Sequence, residues 1–238
     1  YFMKWKDEAL KHAKKESPNE SCGLVVEIRS HPYYFPCKNI ADNPKNDFII
    51  NPRDWKVAAD NGKIIGVVHS HPVTTALPSA VDKAACEKTK LKWYIVQPFY
   101  ETWSCIVPSN WKNPLIGRQY CWAINDCYSV VRDYFKQELN IELKDGERPT
   151  SPSAFKKLDL FDKKFKAYGF RELKEKEELK KNDVVLMALG SKTINHIGVL
   201  MSDDYQLLHH LENKLSGCDL LTGSLLKSVK RRLRFVFI

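Results

Sequence analysis

The chain has 238 residues, 43% of them hydrophobic, 28% charged and 11% aromatic, a balance that excludes disordered and fibrous classes. Its length allows two ordinary domains, each burying its own core without disulfide staples. Lys and Arg number 38 against 29 Asp and Glu, a net charge of +9, which reads first as a solvated basic surface and second as attraction toward a polyanion.

In chain order, Trp5, Ala9, Leu10 and Ala13 recur at helical spacing and predict an amphipathic helix over 5–15, stopped by Pro18. Short apolar runs at 23–28, 64–68, 93–97 and 103–107, with a helix over 52–59, predict the strands of one sheet. The stretch PSNWKNPLIGRQ lacks periodicity and places a domain boundary there, giving domains 1–110 and 111–238. Beyond it, Tyr128, Val131, Tyr134, Phe135 and Leu139 share one helix face, and Phe155, Leu158, Phe161 and Phe165 predict a second helix over 153–168. Strands follow at 184–188, 197–201, 205–208 and 233–238, and the basic cluster Lys227, Lys230, Arg231, Arg232 and Arg234, interleaved with Val229, Leu233, Phe235 and Phe237, reads as a terminal strand with one wet face. RELKEKEELKK reads as a solvated connection. Helices first and strands afterwards is α+β order. No apolar run reaches the length of a spanning helix, no nucleic-acid motif accompanies the basic cluster, and the start at Tyr1 lacks a signal-peptide core. Seven scattered cysteines without CxxC spacing predict free thiols in a reducing compartment.

The first chemical constellation begins with His69-Ser70-His71-Pro72, directly after a strand. Residues two apart on extended chain point the same way, so both imidazoles converge on one ion. Ser79 and Asp82 follow at the start of a predicted helix, which delivers a carboxylate as third ligand. Two His and one Asp leave a fourth zinc position open, the arrangement of a catalytic site, and Glu20 is the candidate general base. Glu20 before Cys22-Gly23-Leu24, then His-x-His-Pro, seven residues, Ser, two residues and Asp resembles the JAMM/MPN metallopeptidase pattern without a gap. The resemblance implies Zn2+ on His69, His71 and Asp82, Glu20 as acid/base, and Ser79 helping to hold the oxyanion.

The second constellation centres on Cys127. Asp126 reads as the N-cap, which puts Cys127 in the first turn of a helix, where N–H groups and the helix dipole favour thiolate. His196 opens one strand as its base, and His209 ends the partner strand as orienting group, with His210 as the alternative. NDCYSVVRDYF, NDVVLM, NHIGVLM and QLLHHL together resemble the NlpC-type papain-like cysteine peptidases, although QYCWAIN departs from the usual Gly-Trp-Gly-Gly-like text. The resemblance implies a helix-plus-antiparallel-sheet domain with a Cys127, His196, His209 site acting on peptidoglycan stem peptides.

A JAMM half followed by an NlpC-type half resembles the tail assembly protein K family of long-tailed phages. That implies an α+β chain of two domains, a mixed sheet with helices and then the papain-like domain. It also implies a bifunctional hydrolase of tail assembly or cell-wall penetration, located in the cytoplasm of the infected bacterium or at the virion tail tip. Its expected partners are other tail-tip proteins, among them one with a ubiquitin-like segment. A structural tail component with vestigial sites and a cellular wall-recycling endopeptidase are the alternatives.

Overall fold

The computed structural model describes residues 4–146, 148–149 and 152–236. The chain divides into two compact units, Tyr1–Trp111 and Lys112–Ile238.

The first unit contains α1 (Lys4–Glu16), β1 (Cys22–Ile28), β2 (His31–Cys37), α2 (Pro52–Asn61), β3 (Lys63–Ser70), α3 (Ala80–Thr89), β4 (Lys92–Gln97) and β5 (Thr102–Ile106). The sheet order is β2-β1-β3-β4-β5. Only β3 and β4 run parallel, because α3 provides the crossover that a parallel pair needs. Strand β2 was not anticipated from HPYYFP. Its prolines are tolerated because it lies at the sheet edge and pairs only with β1. At Gly23, opposite Pro36, a Cβ would lie 2.5 Å from the Tyr34 ring, so any larger residue would have to displace that ring. Trp5 and Ala9 of α1 pack with Val25, Tyr34 and Val68, and Trp5 meets Tyr94 edge to face at 4.9 Å. The register sets Cys22 opposite His69, so the segment carrying Glu20 ends beside the His-x-His strand.

The second unit opens with α4 (Cys127–Leu139), followed by α5 (Pro152–Leu158), α6 (Leu160–Lys164) and a 3-10 turn at Phe165–Tyr168. Then come β6 (Phe170–Glu172), β7 (Val184–Met187), β8 (His196–Leu200), β9 (Gln206–His209), β10 (Gly217–Leu220), α7 (Gly223–Lys227) and β11 (Val229–Phe235). All the strands pair antiparallel in the order β10-β9-β8-β7-β11-β6. Alternation along β7 explains its wholly apolar text. Val184 and Leu186 join the core with α4, while Val185 and Met187 join a second cluster with Leu173, Leu200 and Leu221.

Three expectations are corrected here. The helix expected over 153–168 breaks at Asp159, which takes a left-handed conformation (φ 50°). The break leaves Leu158 exposed and turns Phe161 and Phe165 into the core, with Phe161 edge-on to Phe155 at 4.8 Å. The Lys- and Glu-rich stretch starts in β6 and buries Leu173 and Leu179, so it is only partly a solvated connection. In β11 the arginines are engaged: Arg231 pairs with Asp162, Arg234 with buried Asp183, and Arg232 donates to the carbonyls of Lys174, Glu175 and Glu177. The end of the expected last strand, 237–238, lies outside the described residues.

Candidate functional sites

In the first unit, period-two geometry persists past the end of β3, because the His71 N–H donates to the Val96 carbonyl as a further rung toward β4. His69 and His71 therefore face the same way, their Nε2 atoms 3.1 Å apart. Asp82 arrives from the first turn of α3, with Oδ1 3.1 Å from His69 Nε2 and Oδ2 3.5 Å from His71 Nε2. Ser79 fixes that delivery through a capping box: its Oγ accepts from the Asp82 N–H at 3.1 Å, and Asp82 Oδ2 accepts from the Ser79 N–H at 2.7 Å.

The cluster fits a tetrahedral dication. Ligands about 2.0–2.1 Å from zinc lie roughly 3.4 Å from one another; here the two Nε2 atoms are 3.1 Å apart, each has an Asp82 oxygen within 3.5 Å, and one ligand atom from each of the three residues lies within 4.8 Å of the others. His71 Nδ1–H donates to the Thr75 carbonyl at 2.8 Å, which leaves the Nε2 lone pair aimed at the cluster. His69 is buried, stacked on Phe48 at 4.6 Å with Trp93 edge-on at 5.5 Å, and its Nδ1 has no hydrogen-bond partner. Among the described residues these three form the one group of His, Cys, Asp or Glu with metal-ligand spacing.

The electrostatics describe a site short of positive charge. Burial works to raise the Asp82 carboxyl, but hydrogen bonds from both histidines and Ser79 hold it far below the usual carboxylate range. Burial lowers His69, whereas His71 is raised, since its bonds to Asp82 and Thr75 outweigh burial. Burial pushes Glu20 up to about 8; His71 opposes the rise, and Asp82 and Asp47 add to it. Its backbone is held by Pro44 and Asn39, and its side chain is half-buried within the field of His71 and Asp82.

In the second unit, Asp126 caps α4 through a reciprocal box with Ser129. Cys127 is therefore the first helical residue, and it is buried at 7% exposure. The expected ease of ionisation is not found. Burial, with Asp126 adding, pushes the Cys127 thiol up to about 12, against weaker pulls from Arg148 and from the Ile197 and Tyr128 N–H groups. Burial and the neighbouring His209 and His210 take His196 down to about 3. At neutral pH the site rests as thiol and neutral imidazole.

His196 Nε2 lies 2.9 Å from His209 Nδ1, and their rings meet edge to face. His210 points elsewhere: its Nε2–H donates to the Lys214 carbonyl at 3.1 Å and its ring meets Tyr120 at 5.2 Å. The structure thus sets His209, and not His210, against His196. Tyr120 is raised by burial and then by Cys127, which places it within the field of that sulfur.

Two residues of this unit were not singled out from sequence. Asp219, on β10, holds His209 Nε2 through Oδ2 at 2.9 Å. Arg148 binds the buried Asp126 carboxylate through Nε at 2.6 Å and Nη2 at 3.0 Å. No local pattern marks either one, since Arg148 lies in irregular chain and Asp219 in a four-residue strand.

The model of the prokaryotic homologs of the JAB domain matches residues 3–106, and that of the NlpC/P60 family matches residues 117–234. Tail tip assembly protein K of Escherichia phage N15 is 34% identical over 212 residues, spanning 88% of this chain and 85% of that protein. Tail tip assembly protein K of Escherichia phage lambda is 29% identical over 168 residues, spanning 70% and 79%. A Desulfitobacterium hafniense protein solved in solution is 29% identical with a TM-score of 0.36, over 43% of this chain and 77% of its own.

Proposed function

Because this chain belongs to the tail tip assembly protein K family and carries a JAB-type and an NlpC/P60-type domain, we propose that it is a two-site hydrolase of phage tail assembly. It would work in the infected cell or at the tail tip, among other tail proteins. The observation that carries the hydrolase reading is Cys127 at a capped helix start, its sulfur bonded by the N–H of Ile197, the residue next to His196 of the hydrogen-bonded pair His196 and His209.

For the second site the reaction is hydrolysis of an amide in a peptidoglycan stem peptide, the γ-D-glutamyl-diaminopimelate bond. His196 takes the Sγ–H proton as sulfur attacks the carbonyl carbon, which couples proton loss to bond formation in a site where the free thiolate is disfavoured. The proton passes from His196 to the leaving nitrogen as the C–N bond breaks. Water then cleaves the thioester, returning the acid product and the thiol. His209 holds the His196 ring in place throughout.

For the first site, His69, His71 and Asp82 would hold Zn2+, which when bound acidifies a water and polarises a carbonyl. Glu20 takes up and releases a proton, its carboxyl raised chiefly by burial, with Asp82 adding to the rise. Ser79 keeps Asp82 aimed and has an exposed hydroxyl available to a substrate oxygen. The substrate is a peptide bond of a tail partner, one bearing a ubiquitin-like segment.

Purified muropeptides test the second site. Wild type should cut them, and Cys127→Ala should lose at least about 10⁴-fold in rate. Muropeptides left intact by wild type, or cut equally by the variant, contradict the assignment. Mixing the zinc-loaded chain with its tail partners should give a mass-resolved cleavage product that disappears in Glu20→Gln. No product and no complex would refute the first-site reading.

A further inference from the structure

We propose that Asp219 is a positioning residue of the Cys127 site, fixing the direction of a proton relay so that His196 Nδ1 is left as the proton acceptor. The inference rests on the cysteine-hydrolase reading of that site but is read out separately from it.

The relay is a chain of two bonds. His209 Nε2 meets Asp219 Oδ2 at 2.9 Å, and His209 Nδ1 meets His196 Nε2 at 2.9 Å. A carboxylate only accepts, so His209 carries its proton on Nε2. A neutral imidazole has a single N–H, so His209 Nδ1 is then an acceptor, and the atom facing it, His196 Nε2, must be the donor. The lone pair of neutral His196 therefore sits on Nδ1. That nitrogen is the one left to take the Cys127 proton: the S–H bond breaks, an Nδ1–H bond forms, and the ring becomes imidazolium.

Reversed, the same chain is inert. If His209 carried its proton on Nδ1, it would donate to His196 Nε2, His196 would hold its proton on Nδ1, and nothing would accept from Cys127. Both rings are buried, His196 at 5% and His209 at 3% exposure, so solvent does not choose between the two arrangements inside the pair. The choice is made at its outer end. Asp219 supplies it from a solvent-facing side chain, 64% exposed, on the edge strand β10. In the register His209 faces Gly217 and Leu207 faces Asp219. The position opposite His209 thus has no side chain, and the Asp219 carboxylate reaches the ring along the diagonal. His210 cannot replace this partner, because its Nε2–H is committed to the Lys214 carbonyl.

The test is imidazole tautomer assignment by long-range ¹H–¹⁵N NMR on the full chain labelled at histidine, in wild type, Asp219→Asn, Asp219→Ala and Asp219→Glu. Alkylation of Cys127 by iodoacetamide and muropeptide cleavage are followed in parallel. The expected result is Nε2–H on both His196 and His209 in wild type. Asp219→Asn, whose amide can donate, should populate the Nδ1–H forms and slow Cys127 chemistry on the order of tenfold, less than the roughly 10⁴-fold known for a buried carboxylate in that role. Asp219→Glu should restore the wild-type tautomers. Nδ1–H on His196 in wild type, or tautomers and rates unmoved in Asp219→Asn, overturns the proposal. If the tautomers follow Asp219 while wild type leaves muropeptides intact, the relay stands and the substrate assignment fails.

Discussion

The two constellations solve opposite electrostatic problems. In the first unit, two imidazole lone pairs and a carboxylate converge within 3.5 Å, and the arrangement is balanced only when positive charge enters among them. In the second, donors and acceptors run in sequence from His196 through His209 to Asp219, and Asp126 is matched by Arg148. A site that converges acceptors is built for a cation. A site that alternates donor and acceptor is built to hold one proton pattern without help.

The largest effect expected on stability comes from the matched pair. Asp126 is 1% and Arg148 8% exposed at the side chain. Arg148→Met leaves the carboxylate buried and unpaired and should cost about 3–5 kcal/mol in urea unfolding. Asp126→Asn/Arg148→Met should recover much of that. Equal stability of Arg148→Met and wild type would break the claim that the second site is internally compensated. The sign of the pH effect follows: burial works to raise Asp126, but Arg148 and Ser129 hold it down at about 2. Its contribution is therefore full above the ordinary carboxylate value of about 3.9 and is lost as pH falls toward 2.

Next in size is the ligand contributed by the helix. Asp82→Asn should weaken zinc binding by more than about 100-fold, beyond what loss of a supporting hydrogen bond produces. It should also loosen the cap of α3, by about 1 kcal/mol. Zinc affinity that survives this change, measured by competition with a chelating dye, would mean that the cation is held elsewhere.

The smallest effect separates two descriptions of the second site. With Cys127 near 12 and His196 near 3, the resting pair is neutral. Alkylation of Cys127 should then climb close to tenfold per pH unit from 7 to 10. A flat profile between pH 5 and 8 would show a preformed thiolate and imidazolium instead.

The two sites also differed in how far the sequence revealed them. His69, His71 and Asp82 were legible because strand periodicity and a helix cap, both local rules, bring them together. Asp126 as the cap before Cys127 was legible for the same reason. Asp219 and Arg148 were not, since their roles depend on strand register and on irregular chain folding back across more than 20 residues. Strand β2 was hidden by two prolines that only an edge position tolerates. The break at Asp159 was hidden because a run of phenylalanines keeps helical spacing on both sides of it. The basic text of β11 gave no sign that Asp162 and Asp183 would meet it.

The contrast between a cation-requiring site and a self-contained one is tested most directly by zinc content. Wild type, His69→Ala/His71→Ala and Cys127→Ala/His196→Ala are each dialysed against zinc and measured by elemental mass spectrometry. One zinc per chain is predicted for wild type and for the second-unit variant, and none for the first-unit variant. Zinc retained without His69 and His71, or lost on removing Cys127 and His196, would contradict the account.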